Sequence, residues 1–341
     1  QVVELGRQSP DDSGAMRAYG PFCDHPGLGD DEYDGFPADV CPAELPDLSK
    51  HHSLVADILK KDPGLYAALR NKRTKYGVGL AKCIKTGMDN RGHKLMKTIG
   101  LVAGDEDCFE VFRDLFTSVI QARHGDSGAM LRTPVSSEIP LTVTRADPTG
   151  RYVLSSQIRV ARSLQGVRFP PAIEMAERRE VERVVVRALQ ELTGTLKGDY
   201  YPLAQSVSFP PKLGGMRPDE EEELRAANLV FDHPDSTISL CTGMGRQWPD
   251  ARGVFVNASR SFCIWLNEEE HIRAIAAKQG EDIQGAFNEM MEALGTICAS
   301  LKAHGDCAPG FAYSNEFGYL TSSMASIGTS LRASVIVKLP M

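Results

Sequence analysis

Apolar residues between positions 46 and 124 recur at the spacing of amphipathic helices. Leu54 and Ile58 lie one helical turn apart, and Phe112 and Phe116 repeat that spacing further along the chain. Turn-forming residues separate the apolar stripes. The pattern predicts several short helices, each burying one face, at these positions: Leu54, Ile58, Leu59, Leu65, Leu69, Leu80, Ile84, Phe109, Phe112, Leu115, Phe116 and Val119.

Beyond residue 151 the apolar period shortens to that of a strand. In the stretch 153–162, Ile158 and Val160 alternate with Gln157 and Arg159. Because side chains on a strand point alternately to its two faces, this stretch predicts one buried face and one polar face.

Further apolar patterns follow along the second half of the chain. An apolar stripe over 180–192 predicts a helix, and the acidic stretch 214–225 predicts a flexible loop. Alternating residues at 254–257 and 262–266, joined by a short polar turn, predict a β-hairpin. The remaining stretches predict a long helix over 282–303 and strands at 317–322 and 331–339.

Composition excludes several classes of protein. The 341 residues are 42% apolar, which is enough for two domains with hydrophobic cores. The net charge of −7 argues against a nucleic-acid-binding protein, which would carry a basic face. No run of about 18 apolar residues occurs, so no membrane-spanning helix is expected. No signal or transit peptide is visible at the start of the chain.

The eight cysteines are scattered along the chain, without any Cys-x-x-Cys pair. This favours buried, reduced thiols over a zinc site, and it is typical of a cytosolic protein. We therefore predict a cytoplasmic location and no protein-bound metal.

Two stretches lack a sustained apolar period. Residues 1–45 are rich in Gly, Pro and Asp, which predicts either a tail or linker that lies on a partner or a disordered segment. Residues 125–150 contain repeated Gly and Pro and predict an irregular connection.

Three carboxylates, Glu268 to Glu270, follow the second strand of the predicted hairpin, with His271 and Arg273 just beyond. Ligands of α/β sheets bind at strand ends, so this run is a candidate site. The alternative is a solvated acidic loop that caps a helix, since runs of charge usually face water. Spacing alone leaves both interpretations open.

The stretch 265–271, Trp-Leu-Asn-Glu-Glu-Glu-His, resembles the Asn-Glu-Glu-Asp-His signature of the phosphagen (guanidino) kinases, and of the creatine kinases in particular. The resemblance is collinear from about Pro42 to Met341. The other matching stretches are 98–106, 110–112, 123–125, 152–156, 176–180, 248–253 and 331–333.

The resemblance implies an α+β fold of the creatine kinase/glutamine synthetase type. A small all-helical domain over 46–135 would be followed by a larger α/β domain over 151–341, with a mostly antiparallel sheet flanked by helices. The larger domain would lack its carboxyl-terminal part, because family members continue beyond the position of Met341.

The family transfers the γ-phosphoryl group of magnesium-bound ATP to a guanidino nitrogen, and positioning and charge neutralisation supply most of the rate. The resemblance assigns the catalytic carboxylate to Glu269, with Glu268 beside it. Arginine suits phosphate because its planar fork forms paired, charge-assisted hydrogen bonds. The arginines that match the family's phosphate-binding set are Arg159, Arg162, Arg273 and Arg332.

The resemblance also points to residues that would contact the guanidino substrate. Met96 and Ile99 match two apolar residues of a loop that closes over it, although ordinary loop packing explains them equally well. Ser323 stands where the family has a low-pKa cysteine. A thiolate can carry negative charge beside a guanidinium, whereas a serine hydroxyl near neutral pH cannot.

Other departures fall on the nucleotide side. Gln157 replaces a phosphate-binding arginine, and Val256 and Ile336 replace histidines that contact the nucleotide in the family. We therefore predict a catalytically impaired, creatine-kinase-like protein that acts as a scaffold or assembly component. Its protein partners would come from its own family or from a larger assembly.

Two alternatives stay open. The chain could be an active creatine kinase that uses magnesium-bound ATP or ADP and creatine or a similar guanidino compound. It could also be a regulator that binds magnesium-bound ADP without turnover. Because some family members are tandem-domain proteins of flagella, a flagellar or axonemal location is a second prediction beside the cytoplasmic one.

Overall fold

The structure is a computed structural model and describes residues 35–125, 147, 149–304 and 308–339. Most of the predicted tail, residues 1–34, lies outside the described residues. So do residues 126–146 of the predicted connection. The predicted domain boundaries stay predictions.

The amino-terminal part is helical, as the apolar spacing predicts. Its helices are α1 (Leu54–Lys61), α2 (Pro63–Leu69), α3 (Leu80–Asp89), α4 (Cys108–Val111) and α5 (Arg113–His124). The apolar stripes meet in one core, in which Leu59, Phe112 and Phe116 are fully buried. The Ser53 hydroxyl caps α1 by accepting a hydrogen bond from the Ala56 N–H at 3.2 Å.

Residues 36–48 pack on this helical core as a segment without helix or strand. The Phe36 N–H donates to Asp89 Oδ1 at 2.7 Å, and Lys85 Nζ donates to the Phe36 carbonyl oxygen. Lys85 and Asp89 form an ion pair at 2.8 Å, and their side chains are 1% and 3% exposed. A buried charge pair on α3 therefore anchors the segment that precedes α1.

The larger part is built on an antiparallel sheet of six strands. They are β1 (Val153–Arg162), β2 (Gly198–Pro202), β3 (Gly253–Asn257), β4 (Phe262–Leu266), β5 (Ile272–Gln279) and β8 (Leu331–Val337), while β6 (Tyr313–Ser314) and β7 (Gly318–Tyr319) form a separate pair. The order in the sheet is β2-β3-β4-β5-β1-β8, and the predicted hairpin is the β3–β4 pair.

The back face of the six-stranded sheet packs on two long helices, α6 (Met175–Gln190) and α9 (Ile283–His304). Ile158 and Val160 of β1 lie in this core and are each 1% exposed, whereas Arg159 between them is exposed. The alternation predicted for β1 is therefore confirmed. No helix in the described part of the chain is long and apolar enough to cross a membrane.

The described residues cover the front face of the sheet only in part. Apolar residues of the segment 203–231 pack on β3, β4 and the adjoining part of β5. This segment contains α7 (Pro218–Ala226), and a short helix α8 (Thr237–Cys241) follows it. The rest of the front face, on β1 and β8, carries the exposed side chains of Arg159, Arg332 and Ser334. The cover thus stops where the predicted phosphate-binding arginines begin.

The structure corrects two element predictions. The sequence predicts a flexible loop over 214–225, but α7 forms there. Pro218 starts the helix, the Glu220 carboxylate accepts a hydrogen bond from the Arg217 N–H at 2.8 Å, and Lys212 pairs with Glu220 at 2.7 Å. The strand predicted over 317–322 pairs only at Gly318–Tyr319. The fold class itself is confirmed.

Candidate active site

The candidate site is organised by the tight turn between β4 and β5, residues 267–271. Asn267 adopts a positive φ of 55°, a conformation that Asn tolerates better than most residues. Its side-chain amide donates to the carbonyl oxygens of Arg178 at 3.1 Å and Ala251 at 2.8 Å. Its own N–H donates to the His271 carbonyl oxygen at 3.0 Å and closes the turn.

His271 is a structural residue of this turn. It is fully buried, its Nδ1 accepts a hydrogen bond from the Leu164 N–H at 3.0 Å, and its Nε2 lies 3.0 Å from the Arg168 carbonyl oxygen. This pattern fits the neutral ring with its proton on Nε2. Burial lowers the pKa of His271 to about 3, which keeps the imidazole neutral near pH 7.

Glu270 joins the turn to the loop that contains Ser323. The buried carboxylate accepts hydrogen bonds from the Ser163 hydroxyl at 2.7 Å, from the Ser322 N–H and hydroxyl at 2.8 and 2.7 Å, and from the Ser323 N–H at 3.1 Å. Burial raises the pKa of Glu270, and these donors oppose that shift. The carboxylate is thus a tether, and Ser323 is held beside the turn through its backbone.

Glu268 and Glu269 share the guanidinium of Arg273. Arg273 Nη1 lies 3.2 Å from Glu268 Oε2, and Arg273 Nη2 pairs with Glu269 Oε2. Glu268 Oε2 also accepts a hydrogen bond from the Glu269 N–H at 2.6 Å. Burial raises the pKa of Glu268 to about 7 against the opposing effect of Arg273. Glu269 is 45% exposed and is the more accessible carboxylate.

Three predicted phosphate-binding arginines lie on one face of neighbouring strands, and we call Arg273, Arg159 and Arg332 the arginine row. Arg159 of β1 pairs directly with Arg332 of β8, and Arg273 of β5 pairs with Ala161, two residues from Arg159. Partial desolvation at the sheet surface lowers the pKa of Arg159, although its side chain reaches solvent, and the charges of Arg273 and Arg332 lower the pKa further. The row is therefore a concentrated positive face.

Gln157 stands beside this row. Its side-chain carbonyl accepts a hydrogen bond from Arg159 Nε at 2.8 Å. Val256 is buried at 6% exposure, under the segment that covers β3. Ile336 shares the face of Arg332 on β8 and is 36% exposed. Of the three predicted departures, Gln157 and Ile336 therefore lie on the open face that carries Arg159 and Arg332, whereas Val256 is buried under the covering segment.

The structure does not bring Arg162 to the arginine row. Arg162 points to the opposite face of β1, where its guanidinium lies 3.6 Å from the ring centre of Tyr319. It donates to the carbonyl oxygens of Ala161 at 2.7 Å and Thr329 at 3.1 Å. Because it lies an odd number of positions from Arg159, strand alternation turns it into the core.

Met96 and Ile99 lie on the loop that follows α3. Met96 is 51% exposed. Ile99 is partly buried against the helical core, and its carbonyl oxygen accepts a hydrogen bond from the Val55 N–H at 3.1 Å. Loop packing therefore accounts for Ile99, while Met96 is available to a ligand.

A cavity of about 200 Å³ opens beside Glu268 and Glu269. Among its other lining residues, Trp248 lies in one of the stretches that resemble the family, and the rest carry no signal in the sequence. The buried Arg252 joins two segments that border this cavity. Its guanidinium donates hydrogen bonds to the carbonyl oxygens of Met244 at 2.6 Å and Asn267 at 3.1 Å. The lining residues are Asp232, His233, Pro234, Asp235, Ser239, Met244, Trp248, Glu268 and Glu269.

Family models match both parts of the chain. The ATP:guanido phosphotransferase N-terminal domain matches residues 49–121, and the C-terminal catalytic domain of the same family matches residues 180–341. The solved structure of a lombricine kinase is 35% identical, with a TM-score of 0.77, and the match covers 87% of this chain and 76% of that one. The chain therefore belongs to the ATP:guanido phosphotransferase, or phosphagen kinase, family.

Two further relatives are longer than this chain. The flagellar creatine kinase of Strongylocentrotus purpuratus is 37% identical over 298 residues, which are 87% of this chain but 24% of the relative. The substrate-free duplicated taurocyamine kinase of Schistosoma mansoni is 28% identical, with a TM-score of 0.72, and the match covers 87% of this chain and 38% of that one.

Proposed function

We propose that this chain is a creatine-kinase-like protein that binds a guanidino compound at Glu269, transfers phosphoryl groups poorly, and acts as an assembly component. The observation that carries the proposal is a difference between the two sides of the site. The carboxylates of the β4–β5 turn are in place, whereas neutral groups stand at several positions of the nucleotide side.

The guanidinium side has the groups that its chemistry needs. Glu269 is accessible, and Glu268 lies beside it with its carboxylate held by the Glu269 N–H. A carboxylate pair of this kind binds the N–H groups of a planar guanidinium through charge-assisted hydrogen bonds. Ser323 lies close to the turn, but its hydroxyl places no negative charge beside the guanidinium of the substrate.

The nucleotide side has fewer of the charged groups that its chemistry needs. Arg159, Arg273 and Arg332 fit a chain of phosphates, and magnesium bound to those phosphates would supply further charge neutralisation. Gln157 adds no charge to this face. Losing one phosphate-binding arginine removes roughly 2–4 kcal/mol of transition-state stabilisation, by analogy with the loss of one oxyanion-hole donor. That corresponds to about 30- to 1,000-fold in rate, before any effect of Ile336 is included.

A coupled assay with magnesium-bound ATP and creatine tests the proposal. We expect turnover far below ordinary kinase rates of about 1–100 per second. Glu269→Gln is the control, because any enzymatic turnover by this site requires that carboxylate. Turnover within the ordinary range that Glu269→Gln abolishes would refute the impairment.

The alternative function is an active creatine kinase for energy buffering. Two observations favour it: the 37% identity to a flagellar creatine kinase and the assembled arginine row. Under either function the small-molecule ligand is creatine or a similar guanidino compound. The same relative supports a flagellar location as a proposal, which fluorescence microscopy of the tagged chain in flagellated cells tests.

A further inference from the structure

Two cysteine thiols touch inside the core of the helical part. Cys83 lies on α3 and Cys108 begins α4, and their sulfur atoms are 3.8 Å apart. Both side chains are fully buried, and both are free thiols. Bonded sulfurs lie about 2.0 Å apart, so a disulfide between these two requires an approach of roughly 1.8 Å.

We propose that Cys83 and Cys108 form a redox switch. Hydrogen peroxide joins them in a disulfide, and the new bond displaces the neighbouring segment 102–105, which supports the loop of Ser322 and Ser323 beside the candidate site. The proposal goes beyond the proposed function, because it concerns how the position of this loop responds to an oxidant.

Both cysteines are bonded directly to segment 102–105. The Val102 N–H donates to the Cys83 carbonyl oxygen at 2.9 Å. At the other end of the segment, Asp105 Oδ1 accepts a hydrogen bond from the Cys108 N–H at 3.0 Å. A movement that brings the two sulfurs together therefore pulls on the segment at both ends.

The same segment supports the loop of Ser322 and Ser323. The Ala103 N–H donates to the Ser322 carbonyl oxygen at 2.8 Å. The Gly104 carbonyl oxygen accepts a hydrogen bond from the Phe169 N–H at 2.8 Å, which joins the segment to the larger part of the chain. A shift of the segment therefore changes the support of a loop that lies beside the candidate site.

Close packing leaves the cysteines little room to move alone. A side-chain carbon added at Gly104 would lie 2.7 Å from Val78 Cγ1. One added at Gly87 of α3 would collide with the Gly100 carbonyl oxygen. Because protein interiors are packed as densely as organic crystals, a displacement there passes to the neighbours instead of being absorbed by empty space.

The chemistry balances with hydrogen peroxide as the oxidant. One thiol loses its proton and attacks the peroxide, so that an S–O bond forms, the O–O bond breaks, and the departing hydroxide takes up the proton as water. The second thiol then attacks the sulfenic acid, so that the S–S bond forms, the S–O bond breaks, and a second water leaves. The two thiols lose two electrons, which the peroxide gains. Dithiothreitol restores both thiols by thiol–disulfide exchange.

Burial limits how fast the first step proceeds. Burial raises the pKa of the Cys108 thiol, and its contact with Cys83 raises the pKa further. The thiolate that attacks peroxide is therefore scarce in the closed core. Oxidation requires local opening of α4, a helix of only four residues. We expect Cys298, which is partly exposed, to be oxidised faster than this pair.

Two measurements on the full chain test the switch. Peptide mapping by mass spectrometry after peroxide treatment should find Cys83 joined to Cys108, with a bond that dithiothreitol removes. Hydrogen–deuterium exchange should show that this oxidation speeds exchange of the Ala103 and Ser322 amide hydrogens by at least about threefold, within the usual range for coupling through packed contacts. The amide hydrogens of α9, which packs behind the sheet, should exchange as before.

Cys83→Ala removes one thiol of the pair. In this variant, peroxide should leave the exchange of the Ala103 and Ser322 amide hydrogens unchanged. Cys298→Ser is the matched control, because it removes a more accessible cysteine from another part of the chain, and it should respond to peroxide as the natural chain does. If Cys83→Ala does not fold, Cys108→Ser makes the same test.

Three results would overturn the proposal. One is a peroxide-treated natural chain without the Cys83–Cys108 disulfide. Another is a disulfide that leaves exchange of the two amide hydrogens unchanged or slows it. The third is a full response to peroxide in the variant that lacks one thiol of the pair. None of these measurements uses a guanidino ligand or turnover, so a failure of the proposed function is distinguishable from a failure of the switch.

Discussion

The natural chain should lose part of its free energy of unfolding as the pH rises, and replacing Glu268 by glutamine should remove this loss. Burial raises the pKa of Glu268 from its ordinary value of 4.5 to about 7 in the folded protein, against the opposing effect of Arg273. A carboxyl group with a raised pKa holds its proton more tightly in the folded state. Its stabilising contribution is therefore complete below a pH of about 4.5 and is lost as the pH rises through about 7.

The size of the effect follows from the shift. At roughly 1.4 kcal/mol per pH unit, the difference between 4.5 and about 7 sets an upper limit of about 3 kcal/mol on the contribution of Glu268. The side chain is 16% exposed, and water at its edge screens part of this energy. We therefore expect about 1–3 kcal/mol.

Urea unfolding at pH 5 and pH 8 measures this contribution. The stability of Glu268→Gln relative to the natural chain should rise by about 1–2 kcal/mol between the two pH values, because only the natural chain loses the contribution. Glu110→Gln is the matched control, since Glu110 is 77% exposed, and its relative stability should stay nearly constant. A flat or falling difference for Glu268→Gln would refute the assignment of the raised pKa.

Two further predictions concern α3 and can be checked by thermal and urea unfolding. Gly87→Ala should destabilise the protein by about 1–3 kcal/mol, because the added carbon would collide with the Gly100 carbonyl oxygen. Gly295→Ala is the control, because Gly295 lies in open space on α9, and it should stabilise the protein by about 0.5–1 kcal/mol. Equal changes in stability for the two substitutions would contradict the packing argument. Asp89→Asn should destabilise by about 3–5 kcal/mol, because it removes the charge that compensates the buried ammonium of Lys85. A loss below about 1 kcal/mol would show that this ammonium does not depend on Asp89.

Strand alternation explains why the sequence predicts which side chains of β1 are buried. Ile158 and Val160 are buried and Arg159 is exposed, as the period of two requires. The same period places Arg162 with the buried residues, although the family resemblance groups it with the phosphate-binding arginines. Arg162 shows that a matching motif identifies a position in the fold, whereas the local period decides where the side chain points.

The cavity beside Glu269 could not be predicted from spacing. Asp232, Trp248 and Glu268 lie in different segments, and tertiary packing brings them together. The Trp248 ring meets Phe231 at 5.9 Å, and Arg252 ties the neighbouring loop to the β4–β5 turn. Such a lining depends on hydrogen bonds from one guanidinium to main-chain carbonyls, and these leave no periodic signal in the sequence.

Helix α7 forms although its acidic residues repel one another. A run of acidic residues over 219–223 suggests a solvated loop, because like charges on neighbouring turns repel one another. Pro218 at the first helical position and the pairs Lys212–Glu220 and Arg260–Glu223 offset that repulsion. Lys212 and Arg260 lie outside the helix, so the acidic run alone does not reveal these two partners.

The proposed phosphate-binding face lacks a positive charge at Gln157, and the affinity for magnesium-bound ADP tests this proposal most directly. Calorimetry should show that Gln157→Arg binds magnesium-bound ADP at least about tenfold more tightly than the natural chain, which is roughly 1.4 kcal/mol. Val335→Arg, which adds the same charge to the opposite face of β8, should leave the affinity unchanged. Tight binding by the natural chain, with no gain from Gln157→Arg, would contradict the account.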